Sequence, residues 1–379
     1  MMSKEDFILK VILLGLLSAI AISYPVWIPV NTMYPAIGIV SGISPIWEWI
    51  SMSTSLLLII IVVLLLFWRS KRKPLLIILF LCAGVTILFD YNRIQPWFYS
   101  LNLMLGAFLF SEKTRDTFGT IGLILSFTYI WSGLQKLNFA FINETFPWLV
   151  ELFPIPLPAF FPELGMLAAI TETVAGVGLL FKKSRNISAI ILVFMHFFIM
   201  MALGPFGHDS NAVVWPWNIV SITLLLTIFL QIKNDRAKSI FPGSFTLYKA
   251  FILVLLLLMP VFSLFDLWPM SLSSALYSGN KEQSRVYMDD SFSALLPPSV
   301  QSHVRQEDQS ILLNVWAMEE LGIAAYPDMD VHVSIFKYIC QIHPENAPYL
   351  VFTTYSKPNI FNGNRIETTY FCDDLLPAN

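Results

Sequence analysis

Nine apolar runs divide the chain, at residues 6–24, 51–68, 75–91, 96–111, 118–136, 162–181, 187–204, 213–232 and 248–268. Each approaches the roughly 20 mostly apolar residues that an α-helix needs to cross a bilayer. The fourth is the most interrupted, with Pro96 and several polar residues at its start. Between the first two runs, Pro25 to Ile50 carries four prolines and aromatic residues near its ends. That pattern predicts a re-entrant or interfacial segment, not a further crossing. After the ninth run the pattern changes, and Asp, Glu, Asn and Ser become frequent. Leu276–Asn280 and Ser284–Met288 predict a strand pair around a Gly-Asn turn. Gln309–Leu321 has helical period, with Leu312, Leu313, Trp316 and Leu321 on one side. Val331–Ile342 predicts another helix, and Tyr349–Tyr355 and Arg365–Phe371 are β-rich. The expected fold is an all-α polytopic membrane bundle over residues 1–269 with a small α+β extramembrane domain over residues 270–379.

Composition supports this reading. Of 379 residues, 56% are apolar and 13% charged, against about 25% charged in soluble domains. Mean hydropathy is +0.67. A cytosolic enzyme, a disordered chain and a nucleic-acid binder are excluded on these grounds. The N-terminal run lacks a small-x-small cleavage site and leads into Tyr24-Pro25-Val26-Trp27, so it reads as a retained first helix. No internal repeat is visible, which argues against an inverted-repeat transporter.

The cations set the orientation. Lys4 precedes the first run. Arg69, Lys71, Arg72 and Lys73 follow the second, Lys113 and Arg115 the fourth, Lys182, Lys183 and Arg185 the sixth, and Lys233, Arg236 and Lys238 the eighth. With nine alternating crossings all these loops share one side, the cytoplasmic one. The N-terminus is then inside and residues 270–379 outside, in a bacterial-type inner membrane. Arg93 and Lys136 are left on the outer side, where the pattern places no cation. Of three cysteines, Cys340 and Cys372 are the candidates for a disulfide in an oxidising outer compartment. No CxxC occurs and no metal site is expected.

Charges at membrane depth cost at least ~2.5–3.5 kcal/mol each on insertion scales and mark candidate sites. Lys136 closes the fifth run, and reads either as an interfacial anchor or as a base in a pocket. Glu172 lies near the middle of the sixth run, as a structural ion pair, a hydrogen-bond hub or a catalytic group. Gly165, Ala169 and Thr173 form a small-residue stripe beside it that permits close helix contact. His196 lies mid-way along the seventh run, at a depth where a contact with Glu172 is reasonable. Asp90, Asn92, Arg93 and Trp97 close the third run and open the fourth, with Asp90 the nearest partner for Arg93. His208 lies in the loop that leads into the eighth run, and Trp217 and Asn218 lie at the start of that run. Lys136, Glu172 and His196 are the catalytic candidates. The other seven are candidates to line an outward-facing pocket for a lipid-soluble ligand.

Three stretches resemble the membrane domain of the vitamin K-dependent γ-carboxylase family, which is grouped with the HTTM and DoxX-like membrane proteins. Ser132-Gly-Leu-Gln-Lys136-Leu137 resembles the family's A-G-x-K-K-L stretch. Glu172-Thr-Val-Ala-Gly-Val-Gly-Leu-Leu-Phe181, with Ser184-Arg-Asn-Ile187 and Met195-His196, resembles its acidic-x-x-A-G-x-x-L-x-F segment, S-R-x-I and later F-H. Phe89-Asp90-Tyr-Asn92-Arg93 resembles M-D-A-N-H-Y-W. The likeness covers roughly residues 75–220. It implies a nine-helix N-in/C-out bundle, a quinone or hydroquinone as ligand, and Lys136 as the base that deprotonates it. Arg93 stands where the family carries a histidine, so protein γ-carboxylation is not expected to carry over. The leading expectation is a membrane protein that binds a quinone or other lipid-like ligand in contact with the bilayer. If it is an enzyme, a quinone-linked oxidoreductase or lyase-like activity fits. The rival expectation is a non-enzymatic scaffold that presents residues 270–379 to a protein partner outside the membrane.

Overall fold

A computed structural model describes residues 2–28, 32–39, 45–151, 161–230 and 245–376. Nine helical segments follow the apolar runs: α1 (Lys4–Ile22), α2 (Pro45–Phe67), α3 (Arg72–Ile87), α4 (Pro96–Phe110), α5 (Thr114–Gln135), α6 (Phe161–Leu179), α7 (Arg185–Leu203), α8 (Val214–Leu224) and α9 (Leu247–Leu253). α8 continues as a π-helical segment to Phe229, and α9 continues through π and 3-10 segments to Phe265.

Among the described residues, four stretches are long and apolar enough to cross a membrane: Trp47–Phe67, Thr114–Gln135, Arg185–Leu203 and Leu247–Phe265. The expected nine crossings are thus reduced to four that meet length and hydropathy together. The reasons are local. α3 and α4 have 16 and 15 residues, and a helix of that length spans only about 24 Å at 1.5 Å per residue. Val214–Phe229 is apolar but similarly short. α1 carries Lys4, Glu5, Asp6 and Lys10, and α6 carries Glu163 and Glu172.

α5 is the axis of the bundle and the most buried of the four long stretches. Gly133 on α5 and Gly176 on α6 permit the closest helix–helix approach. A methyl group at Gly133 would meet Thr173 Oγ1 at 2.2 Å and Ala169 O at 2.6 Å, and one at Gly176 would meet Ile130 N at 2.7 Å. The small-residue stripe therefore does bring α6 against α5.

Two expectations fall partly or wholly outside the described residues. The Pro25–Ile50 segment contributes a helical turn at Tyr24–Trp27 and, from Pro45, the start of α2. Residues 29–31 and 40–44 are not described. Lys233, Arg236 and Lys238 also lie outside the described residues.

The C-terminal part is α+β. Its four-stranded antiparallel sheet has the order β2 (Ser310–Leu312), β1 (Gln283–Tyr287), β3 (Val351–Tyr355), β4 (Glu367–Phe371). Val286 sits opposite both Ile311 and Phe352 in register. Phe352 stacks on Phe336 at 4.3 Å, beneath α11 (Met329–Ile342). Asp328 caps α11 by accepting from Val331 N. The expected Leu276–Asn280 strand is not formed. Tyr277 and Gly279 take the left-handed backbone region, with φ of 55° and 70°, which breaks an extended run. Within Gln309–Leu321, Ser310–Leu312 pairs with β1, and only α10 (Leu313–Leu321) is helical. Cys340 and Cys372 form a disulfide that ties the end of α11 to the start of the short helix Cys372–Leu375. Asn92 Oδ1 accepts from Tyr326 N, Gln95 donates to Ala324 O, and Glu320 accepts from Met33 N and Tyr34 N. These contacts hold the sheet domain against the bundle.

Candidate functional site

The Lys136 ammonium follows the last turn of α5. Its Nζ donates to Ser132 Oγ at 2.8 Å and to Glu172 Oε2 at 2.6 Å. Ser132 lies one turn earlier on the same helix, and Glu172 comes from α6 across the Gly133 contact. Lys136 and Glu172 are 8% and 4% exposed. Neither is therefore an interfacial anchor reaching for water, and the ion-pair reading of Glu172 holds.

His196 on α7 belongs to a second network. Its Nδ1 lies 2.5 Å from Asn218 Oδ1, and its Nε2 lies 2.6 Å from the Tyr129 hydroxyl. Asn218 uses its amide to donate to Val214 O, one turn back on α8. Its oxygen is then the acceptor, so Nδ1 of His196 carries the proton and Nε2 accepts from Tyr129. The expected Glu172–His196 contact is replaced by this Tyr129–His196–Asn218 chain. The reason is that Tyr129 sits on α5 between the two.

Both networks line one cavity of about 120 Å³. Apolar side chains make up most of its wall, including Met104, Leu125, Phe141, Phe146 and Trp217. Leu276 and Tyr277 reach in from the C-terminal region, and Tyr277 is held by a 2.7 Å bond from Asn211. An apolar cavity of about 150 Å³ takes up benzene, so this one admits a single ring-sized group. An ammonium has three donors. Two are engaged by Ser132 and Glu172, which leaves one for a ligand oxygen. Tyr129, His196 and Asn218 supply a polar edge on the same cavity.

The ten candidate residues divide. Lys136, Glu172, His196, Trp217 and Asn218 converge on the cavity. Asp90, Asn92, Arg93, Trp97 and His208 do not line it, and Asp90 and Arg93 line a separate cavity of about 280 Å³, which corrects the expectation that Arg93 and Lys136 share a pocket. Arg93 is 3% exposed and donates to Val26 O, Ser51 Oγ and Thr86 O. Asp90 instead accepts from the backbone and side chain of Asn92. The expected Asp90–Arg93 salt bridge is therefore displaced by carbonyl acceptors. Trp97 packs against Trp27 and Phe98. His208 stacks on Trp148 and bonds to its carbonyl. Tyr129 and Ser132 were not singled out from the sequence, yet they precede Lys136 by seven and four residues, the spacing of one helix face. Tyr277 had no such signal, because it arrives from another part of the chain. Among the described residues no cluster of side chains suits a metal ion.

No family model, no curated protein and no solved structure matches the chain.

Proposed function

We propose that the protein is an integral membrane protein, with its N-terminus inside and residues 270–379 outside, that binds a quinone or hydroquinone type of ligand in the Lys136 cavity. The proposal extends the four long apolar stretches to nine crossings, the shorter helices thinning the bilayer or lying within the bundle. Its family is the vitamin K-dependent γ-carboxylase, HTTM and DoxX-like group that the Lys136, Glu172 and Asp90 stretches resemble. The observation that carries the reading is the meeting of a buried lysine–glutamate pair and a buried Tyr129–His196–Asn218 chain on one apolar cavity. A ring with polar oxygens matches that lining, whereas a charged solute does not.

The ligand arrives through lipid. α6 and α7 expose Leu167, Phe194 and Phe197 on the outside, next to Ala168, Met195 and Phe198 in the cavity wall. Lys136 contacts a ligand oxygen through its third hydrogen. If its proton passes to Glu172, the resulting amine serves as a base for a hydroquinone hydroxyl. Tyr129 and His196 then hold or exchange a proton at the other lining oxygen.

The test is quantification of quinone co-purified in mild detergent. Lys136→Ala should lose it with the fold retained by circular dichroism. Equal quinone content in the variant overturns the reading.

A second reading, a scaffold presenting residues 270–379 to an outside partner, draws support from the firm docking of that domain through Asn92, Gln95 and Glu320. Truncation after Tyr277, which keeps Leu276 and Tyr277 in the cavity wall, separates the two. A scaffold loses all function, and a ligand-binding bundle retains quinone.

A further inference from the structure

A second group of reactive side chains lies in the outer domain, apart from the bundle cavity. Ser284 on β1 and His332 on α11 are 48 residues apart and both 2% exposed. Ser284 Oγ lies 2.8 Å from His332 Nδ1. His332 Nε2 lies 2.9 Å from the carbonyl of Tyr326. A carbonyl only accepts, so Nε2 carries the hydrogen and Nδ1 presents its lone pair to the serine hydroxyl. The imidazole is thereby fixed in the tautomer that can take the serine proton, with a third group orienting it.

Both side chains line a cavity of about 60 Å³, together with Lys281 and Asn314. Lys281 lies three residues before Ser284, just ahead of β1. Among the described residues no acceptor lies within hydrogen-bonding distance of its Nζ. Burial, reinforced by Arg365, lowers its ammonium to about 8. Burial likewise lowers His332 to about 4, so it is neutral at neutral pH. Lys281 and the Glu282 carboxylate line the same cavity as Ser284, and a cation on that wall is suited to a developing oxyanion.

We propose that Ser284 and His332 form a nucleophile–base pair that cleaves small acyl esters, with Lys281 stabilising the oxyanion. In the first half, a bond forms between Ser284 Oγ and the acyl carbon, and the Oγ proton passes to His332 Nδ1. The ester C–O bond breaks, and the alcohol leaves with that proton. In the second half, water attacks the acyl-serine, gives a proton to His332, and releases the carboxylic acid as Ser284 recovers its hydrogen. Ester and water become acid and alcohol, and no further reactant is needed. The cavity volume admits an acetyl-sized group and not a fatty acyl chain.

The experiment treats the full chain in detergent with methanesulfonyl fluoride, a reagent small enough for this cavity. Peptide mass spectrometry then locates the adduct. The expected result is modification at Ser284, with release of 4-nitrophenol from 4-nitrophenyl acetate that the modification abolishes. His332→Asn should slow labelling about a hundredfold, the scale of a lost general base. No adduct on wild-type Ser284 overturns the proposal whatever the variants do. Labelling that His332→Asn leaves unchanged also overturns it, since the pair would then be packing only. Ser284→Cys guards against a variant that fails to fold. Its thiol should react with iodoacetamide about tenfold or more faster than the buried Cys82 does, and an inert thiol counts against the proposal.

Discussion

Lys136 and Arg93 are the two cations that the charge pattern leaves on the outer side, and the structure treats them oppositely. Lys136 is paired with one carboxylate and one hydroxyl and keeps a hydrogen facing a cavity. Arg93 is spread over two backbone carbonyls and Ser51 from three separate segments, with Trp27 beneath its guanidinium. The forked guanidinium can bridge several acceptors at once, whereas the compact ammonium concentrates its charge on few. The first arrangement leaves chemistry open. The second is a rivet that fixes the Val26 turn, α2 and the end of α3 to one another. Buried charge alone does not separate site from scaffold. What separates them is how the charge is met: Lys136 by a carboxylate on the wall of an apolar cavity, Arg93 by neutral carbonyl and hydroxyl acceptors drawn from three segments.

Breaking the pair at its carboxylate should have the largest effect. Glu172→Leu strands the Lys136 ammonium, and thermal unfolding in detergent should show a loss of about 3–5 kcal/mol. Replacing both, as Lys136→Met with Glu172→Leu, should recover most of that loss while quinone binding stays abolished. A double variant as unstable as the single one would mean that the pair is structural.

Acid should act first on neither cation but on the α+β domain. His332 is held near 4 by burial, below its ordinary 6.5. As pH falls through that window the unfolded chain takes up a proton that the folded one excludes. Its contribution is intact above 6.5 and is lost towards 4, worth about 3 kcal/mol. Urea midpoints of the wild type and His332→Gln at pH 7 and pH 4.5 check this. Equal pH slopes in the two proteins contradict it.

Arg93→Met should cost about 2 kcal/mol by leaving the Val26 and Thr86 carbonyls without donors. It should leave quinone content unchanged, and a parallel loss of ligand would break the contrast drawn above. Tyr129→Phe sharpens the other side. Stability should fall by about 1 kcal/mol, while ligand retention falls several-fold as the His196 lone pair loses its donor.

Much of this was legible in the sequence. The nine apolar runs located nine helical segments, and the unusual placement of Lys136, Glu172 and His196 pointed to the cavity. Three things were not legible. Helix length is set by where polar residues and turns end a run, so α3 and α4 stop at 16 and 15 residues, short of the roughly 20 that a full crossing takes. Partner choice for Arg93 depended on carbonyls of Val26 and Thr86, and backbone acceptors leave no mark in composition. Strand pairing of Ser310–Leu312 with β1 overrode a helical period, because register depends on a partner far along the chain. The Cys340–Cys372 bond was one of two outcomes that spacing allowed, and proximity decided it.

Gly133 has a consequence beyond packing. The 2.6 Å reach between Lys136 and Glu172 depends on α5 and α6 lying closer than any side chain at that seam would permit. The distance between the two charges is thus governed by a residue that touches neither of them. In evolutionary terms the site carries an adjustable ruler. One added carbon at Gly133 would push the helices apart and lengthen the reach without changing any group in the cavity.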